Sequence, residues 1–475
     1  MLTLTNAITL PLIGDINLTG LILFAFFFCF LAVLGFEFVN GFHDTANAVA
    51  TVIYTKTLKP YYAIVWSGIW NFLGVFVVGT AVALTLVKLI PLDKLITLPI
   101  QVGACLVIAI LLASIIWNLG SWYFGIPLSS THTLVGAMIG GSLGFTYFYG
   151  GPGVNWSQAI NIGLSLLISP IIGFGGAALL MFLEKRTIKS PKWFHIPEGE
   201  SDKPPLPIRI LLITTCTLVS FFHGSNDGQK GVGLLMLILI VFLPASFAFN
   251  PAVSSANTIK LLNGTEQTLK SLISPNVKDQ TMIDKLVMTL DSAKMQIGKK
   301  TSGSTVRKFD FRKAIQKSAA GLKKITENKA IKLDPKVKKQ LEADTKNLQK
   351  VTDFAPVWVI ACISLSLGLG TMIGWKRIVV TIGERIGNEK LNYAEGATAE
   401  IVAAATIGLS TGLGLPVSTT HVLSSGVAGA MRASKGTKNL NYGTLKSIAM
   451  AWVLTLPVAI ALAFLLFMLF HLFIK

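Results

Sequence analysis

Charge is what this chain has least of. Of its 475 residues only 13% are Asp, Glu, Lys or Arg, against 52% hydrophobic, which excludes an ordinary soluble domain, where about a quarter of the residues are charged. Residues 95–183 hold no charged residue at all, a run of 89. One membrane-crossing helix needs roughly 20 residues, so this run must cross or re-enter repeatedly. Cysteine is scarce too: Cys29, Cys105, Cys216 and Cys362 lie singly in apolar segments without C-x-x-C spacing. That excludes a disulfide framework and a thiolate metal centre and leaves packing roles. The first apolar stretch, 18–36, lacks a basic leader and a small-residue cleavage site, and it is too long for a signal peptide. It reads as a retained helix.

The charge that is present is concentrated. Net charge is +18, and residues 251–354 hold 21 Lys and Arg against 10 Asp and Glu, so +11 sits there. This segment reads as an insert of solvated helices. Its scattered lysines, with few arginines and almost no aromatics, make a poor nucleic-acid surface, so no nucleic-acid partner is expected. Short basic loops at 184–192, 375–380 and 431–438 would face the cytoplasm, whereas a loop as long as the insert escapes that rule.

The apolar segments are expected at 18–38, 43–54, 61–87, 101–124, 128–147, 158–183, 208–223, 228–248, 355–375, 396–413, 417–431 and 447–470. The fold class is therefore an all-α polytopic membrane protein of about 10–12 membrane segments, several too short or too rich in Gly and Pro to span alone.

Two motifs recur in the same order. "NGFHDTANAVAT" (40–51) matches "HGSNDGQKGVG" (223–233) at an offset of 183, pairing Gly41 with Gly224, His43 with Asn226, Asp44 with Asp227 and Asn47 with Lys230. "GIPLSSTHTLVGA" (125–137) matches "GLPVSTTHVLSSG" (414–426) at an offset of 289, and the insert between the second-half motifs explains the larger offset. The organisation expected is a first repeat, 1–185, a polar linker, 186–207, and a second repeat, 208–475, interrupted by the insert at 251–354. Duplication with polar breaks at corresponding places is the signature of a secondary transporter.

Each motif carries its own chemistry. In the Pro-Ser motif, Gly and Pro end one helix, and Ser129, Ser130 and Thr131, or Ser418, Thr419 and Thr420, begin the next. A helix start at membrane depth offers free N–H groups, a partial positive charge and hydroxyl donors, an anion site without a formal charge. A helix-breaking loop capped for structural reasons is the plainer alternative, and the duplication favours the anion site. Asp44 and Asp227, flanked by Asn40, Asn47, Asn226 and Gln229, suit a hard cation or a proton. An anion beside two carboxylates is repelled unless cations lie between them, which is a coupling mechanism. Four of the six histidines (His43, His132, His223, His421) fall inside these motifs, and they either carry protons or orient their neighbours. Glu37 either joins the site or anchors its helix.

Together the four motifs resemble the inorganic phosphate transporter (PiT) family, whose hallmark is a duplicated Gly-x-Asn-Asp-x-x-Asn-Ala-like signature with a Pro-Ser-Ser/Thr-Thr-His segment in each half. The resemblance covers almost the whole chain except the insert, and it is similar to the bacterial low-affinity, proton-coupled branch. It implies phosphate symport through two inverted repeats with re-entrant helical hairpins. By that resemblance the substrate-binding residues are Ser129, Ser130, Thr131, Ser418, Thr419 and Thr420 and the coupling-ion residues Asp44, Asn47, Asn226 and Asp227; their place inside the Asp motifs adds Gln229 and Lys230 to the expected substrate site and His43 to the coupling-ion site. His43 and Lys230 stand where the sodium-coupled pattern has Asn.

The function expected is thus a proton-coupled symporter in the cytoplasmic (inner) membrane that imports inorganic phosphate, as the free anion or as a complex with a divalent metal. The alternatives are sodium coupling or another tetrahedral oxyanion. No cofactor is expected and no enzyme: a Ser–His hydrolase lacks a G-x-S-x-G context, and its Ser129 and His132 both occur twice. An ion channel has less use for duplicated capped breaks.

Overall fold

The computed structural model describes residues 8–10, 14–16, 18, 20–77, 80–95, 97–151, 153–199, 202–247, 249, 250, 252–272, 276–298, 305–328, 331 and 333–474. After a two-stranded antiparallel pair, β1 (Ile8–Leu10) and β2 (Gly14–Ile16), the described chain is helical. The first half holds α1 (Gly20–Tyr54), α2 (Pro60–Val77), α3 (Ala81–Val87), α4 (Leu92–Leu95), α5 (Ile100–Tyr123), α6 (Ser130–Tyr149) and α7 (Trp156–Thr187). The linker forms a 3-10 turn at Pro191–Phe194, and α8 (Leu206–Phe242) opens the second half. Then come α9 (Pro244–Phe247), α10 (Ser255–Lys270), α11 (Val277–Gly298), α12 (Thr305–Glu327), α13 (Pro335–Thr352), α14 (Val357–Thr371), α15 (Lys376–Val380), α16 (Tyr393–Gly412), α17 (Thr419–Lys435) and α18 (Tyr442–His471).

Among the described residues six helices, α1, α2, α5, α7, α8 and α18, are long and apolar enough to cross a membrane by length and composition. Helices α6, α14, α16 and α17 pack among these, α6 on α18, α14 on α1 and α2, and α16 and α17 on α7.

Three sequence boundaries change. The segments expected at 18–38 and 43–54 are one helix, the 35-residue α1, and those at 208–223 and 228–248 merge into the 37-residue α8. The Asp motifs do not break their helices, because Gly41 and Gly224 serve close packing. A Cβ on Gly41 would lie 2.4 Å from the Leu367 carbonyl oxygen of α14, and one on Gly224 would lie 2.1 Å from the Asn71 carbonyl oxygen of α2. So each motif helix is pressed against a neighbour with the Asp held mid-helix. Conversely, 61–87 divides into α2 and α3.

The chain forms two compact units. The larger comprises 1–92, 101–238 and 357–475, and the smaller 93–100 and 239–356. In the larger, α6 packs on α18, α7 on α17, and α1 and α2 on α14. Its core includes Ala46, Val49, Cys216, Ala403, Val422 and Val427, all buried. Small residues at these contacts allow helix backbones to approach closely, the usual device where lipid supplies no hydrophobic drive between helices.

The smaller unit corresponds to the insert, and its helices do more than solvate. In α10–α13 each helix packs on the next, and α10 packs on α13. Leu262, Leu269, Leu290, Ile315, Leu322, Leu341 and Leu348 are fully buried between them. This is a four-helix bundle with its own apolar core. Buried Thr265 donates to Asp344 at 2.9 Å, and Glu266 pairs with Lys270 and Lys294. The two lysines hold the Glu266 carboxyl below its usual range by hydrogen bonding.

Candidate functional site

The starts of α6 and α17 are built alike. Two residues beyond the ends of the preceding helices α5 and α16 stand Gly125 and Gly414, with φ of +67° and +69°, a left-handed conformation that residues other than glycine adopt only at a cost. Ile126 N–H donates to the Ser121 carbonyl at 3.0 Å and Leu415 N–H to that of Ser410 at 2.9 Å, the six-to-one bond of a Schellman end. Pro127 and Pro416 then prevent continuation of the helix. Each new helix is capped by a serine: Ser129 Oγ accepts from His132 N–H at 3.2 Å, and Ser418 Oγ accepts from His421 N–H at 3.1 Å. Ser129, Ser130, Thr131, Ser418, Thr419 and Thr420 are all buried. Two helix starts rich in hydroxyls therefore lie inside the protein.

Asp44 of α1 and Asp227 of α8 lie against these starts, both buried. Asp44 accepts hydroxyl bonds from both tips, from Ser130 at 3.1 Å and from Thr420 at 2.5 Å. Asp227 instead has an ammonium: Lys230 Nζ is 2.7 Å from its Oδ1. Ser130 Oγ also reaches Asp227 Oδ2 at 3.5 Å, so one hydroxyl stands between the two carboxylates. Lys230, itself buried, donates further to Thr131 Oγ1 and lies 3.5 Å from the Val417 carbonyl. Thr131 donates to that same carbonyl at 3.0 Å. One side chain of α8 thereby ties the second carboxylate to both tips.

His223 supplies a third group. Its Nδ1 is 2.6 Å from Asn71 Oδ1, and Asn71 Nδ2 donates to Ser67 Oγ at 3.3 Å and Thr371 Oγ1 at 3.4 Å. Since the amide oxygen only accepts, Nδ1 carries the hydrogen. Nε2 then lies 3.7 Å from Asp44 Oδ2 and 3.7 Å from Asp227 Oδ2. The three ligand atoms lie within 4.8 Å of one another, all buried. A neutral imidazole would aim a lone pair at two carboxylate oxygens, an arrangement favourable only with a proton or cation among them.

The remaining sequence candidates divide. Asn226 holds the second tip: Nδ2 donates to Thr411 Oγ1 at 3.0 Å and to the Leu415 carbonyl at 3.1 Å, while Oδ1 accepts from Val417 N–H at 3.3 Å. Gln229 has both ends engaged away from the tips, accepting from Val82 N–H at 2.8 Å and donating to the Ser225 carbonyl at 2.6 Å. His43 sits beside Asp44, with Nδ1 at 3.6 Å, and its Nε2 is 3.3 Å from Ser121 Oγ. Asn47 lies on α1, and its side chain is outside the described residues. Thr419 is buried at the second tip. Glu37 is buried, accepts from Asn40 at 3.4 Å and packs on Gly231, next to Lys230. His132 and His421 lie behind the tips with ring centroids 4.6 Å apart, and His421 stacks on Trp452 at 3.9 Å.

Two groups escaped the sequence reading of the site. Asn71, which sets the His223 tautomer, stands in an apolar run without any motif. Glu400 of α16 is fully buried and accepts from Thr51 of α1 and Thr215 of α8. Its signal was present, since a lone carboxylate inside an apolar segment is a functional candidate by default.

Comparison with known proteins fits this geometry. The model of the phosphate transporter family matches residues 40–463. A low-affinity inorganic phosphate transporter of Buchnera aphidicola subsp. Schizaphis graminum is 40% identical over 97% of this chain and 98% of its own. The low-affinity inorganic phosphate transporter PitA of Escherichia coli (strain K12) is 39% identical over 91% and 93%. Among solved structures, the sodium-dependent phosphate transporter superposes with a TM-score of 0.56 at 22% identity, covering 94% of this chain and 99% of its own, a likeness of fold. With a family match across nearly the whole chain, these relatives, and a duplicated hydroxyl-rich site around two buried carboxylates, the chain belongs to the phosphate transporter family and is a multi-pass membrane transporter rather than an enzyme.

Proposed function

We propose that the chain is a symporter that imports inorganic phosphate across the cytoplasmic (inner) membrane with protons, through two inverted repeats, 1–185 and 208–475, rocking about a central site. The observation that carries this reading is that Ser130 and Thr420, one hydroxyl from each tip, both donate to Asp44. Phosphate seated between the tips needs those same donors. It takes them only if Asp44 gives them up, and a buried carboxylate that loses two donors is stabilised by taking a proton or a cation. Substrate and coupling ion are linked through shared hydroxyls. Ser129 and Ser418 keep their O–H donors while capping, and the free N–H groups of the first turns add to the anion's bonds.

Lys230 is the fixed counter-ion in this scheme. Its 2.7 Å pair with Asp227 neutralises one of the two carboxylates, leaving Asp44 and His223 to exchange the coupling proton. The Asp44, His223 and Asp227 cluster favours a second reading for the cargo, in which a divalent cation arrives bound to the phosphate and is held by these three side chains. Labelled phosphate uptake into proteoliposomes, with proton and sodium gradients imposed separately and with or without magnesium, tests both. Uptake driven by sodium alone would overturn proton coupling, and uptake indifferent to magnesium would overturn the metal complex.

A further inference from the structure

Away from the tips, the larger unit carries a second concave site. The end of α5 and the 374–385 segment border an open cavity of about 570 Å³ lined by Trp122, Tyr123, Trp375, Lys376, Arg377 and Arg385 among others. Three cations and four aromatic rings, that of Phe124 included, face one space. None of the three cations is ion-paired with a carboxylate of the described residues, although Glu384 is the chain neighbour of Arg385. That is an uncommon concentration of unspent positive charge in so apolar a chain.

The walls are fixed in place. The Arg377 guanidinium lies 5.0 Å from the Trp122 ring centroid and 4.9 Å from that of Tyr123, within cation–π range. It also donates to the Tyr123 carbonyl. Trp122 Nε1 donates to the Gly374 carbonyl at 2.8 Å, and Thr381 Oγ1 donates to the Gly125 carbonyl at 2.9 Å. These bonds lock the end of α5 to the 374–381 segment and spend backbone acceptors, leaving most guanidinium N–H donors and both other cations available. A planar guanidinium held by stacking, with two further cations beside it, matches a phosphate group, which takes bidentate bonds from arginine.

We infer that this cavity is a binding site for a phosphate group, distinct from the tip site and supplied either by an anionic phospholipid headgroup or by free inorganic phosphate. The aromatic rings suit the glycerol and upper acyl region of a lipid, since Trp and Tyr concentrate at the membrane interface. Free phosphate would instead use the cavity as a vestibule, because the Gly125 carbonyl bound at its wall lies four residues before Ser129. In both cases occupancy bears on the turn that leads into the first tip.

The test uses the full-length protein, purified in detergent and stripped of lipid, as wild type, Lys376→Gln/Arg385→Gln, Arg377→Gln and Arg377→Lys. In one arm dioleoyl phosphatidylglycerol is added and retained lipid is counted by native mass spectrometry, with phosphatidylcholine as control. In the other, inorganic phosphate is titrated and tryptophan fluorescence followed, with Trp122→Phe used to assign the signal to the cavity. Loss of Lys376 and Arg385 should weaken binding of the true ligand by roughly tenfold or more. Arg377→Lys should fall between wild type and Arg377→Gln. A fall confined to phosphatidylglycerol identifies the lipid, and a fall confined to the Trp122-dependent phosphate signal identifies the vestibule. If Lys376→Gln/Arg385→Gln, eluting as wild type on size exclusion, binds both ligands as wild type does, the inference is wrong. The same result follows if Arg377→Gln and wild type are alike in both arms.

Discussion

Asp44 and Asp227 occupy equivalent places in two matching motifs, yet the protein handles their charges differently. Asp44 is held by neutral hydroxyls from both tips, whereas Asp227 is held by the ammonium of Lys230. Hydroxyl donors can be surrendered to an arriving anion at little electrostatic cost, because each can turn to it. An ammonium 2.7 Å from its carboxylate cannot leave without exposing a buried charge in a low-dielectric setting. In the proposed mechanism one duplicated position thus supplies a charge that is exchanged and the other a charge that stays balanced. On that proposal a symmetric pair of aspartates would need two mobile cations where this arrangement needs one.

The largest effect is expected from breaking the exchangeable side. Asp44→Asn should abolish concentrative uptake while phosphate exchange between equal concentrations on the two sides of a proteoliposome persists. Loss of exchange to the same degree would make Asp44 part of the anion site or of the fold, and the contrast with Asp227 would lapse.

Breaking the fixed side should cost stability as well as transport. Lys230→Gln leaves Asp227 buried without its cation, a change typically worth about 3–5 kcal/mol. Thermal unfolding in detergent should show it, and proton-driven uptake should be lost. The double variant Lys230→Gln/Asp227→Asn removes both charges and should recover most of the stability without recovering proton-driven uptake. Lys230→Asn, which restores the residue found at position 47, should acquire sodium dependence. Wild-type, pH-driven uptake by Lys230→Gln would remove lysine from the mechanism.

The two tips offer a finer contrast. Ser129→Ala and Ser418→Ala each remove a helix cap and one hydroxyl donor, with an expected loss of about 1–3 kcal/mol in phosphate affinity or helix stability. Because Ser130 of the first tip reaches both carboxylates while Thr420 of the second donates to Asp44, Ser130→Ala should impair coupling more than Thr420→Ala. The readout is phosphate accumulated per unit of imposed pH gradient, and equal effects would remove the asymmetry.

The smallest effect should come from the 251–354 bundle. Its apolar core is its own, and no copy of either motif lies in it. Replacing it with a flexible linker should leave a protein that inserts and transports. A correctly inserted but inactive deletion would show that the bundle gates the site.

The repeat, the tip hydroxyls and the Asp–Lys cluster were legible in the sequence because each departs from an apolar background in which polar residues are few and costly. Helix ends at the tips were legible for a local reason, since Gly, Pro and a Ser cap act within a few residues. The fusion of predicted segments into α1 and α8 was not, because glycine reads as a break until a neighbouring backbone 2.1–2.4 Å from its missing Cβ shows why it is there. Gln229 looked like part of the site by proximity in sequence, but a helix turns by about 100° per residue and its neighbours Asp227 and Lys230 leave it on another face.

By itself, then, the sequence determined that this is a duplicated all-α membrane transporter with four polar motifs, since composition, period and capping are properties of the chain. Only the tertiary structure decided which partner each polar group takes: Lys230 on Asp227, both tips on Asp44, Asn71 on His223, and Glu400 between Thr51 and Thr215. Those partners are separated by up to 376 positions. No local pattern encodes such a distance, and only the packing of whole helices, driven by close contact and by the cost of an unpartnered buried charge, brings them together.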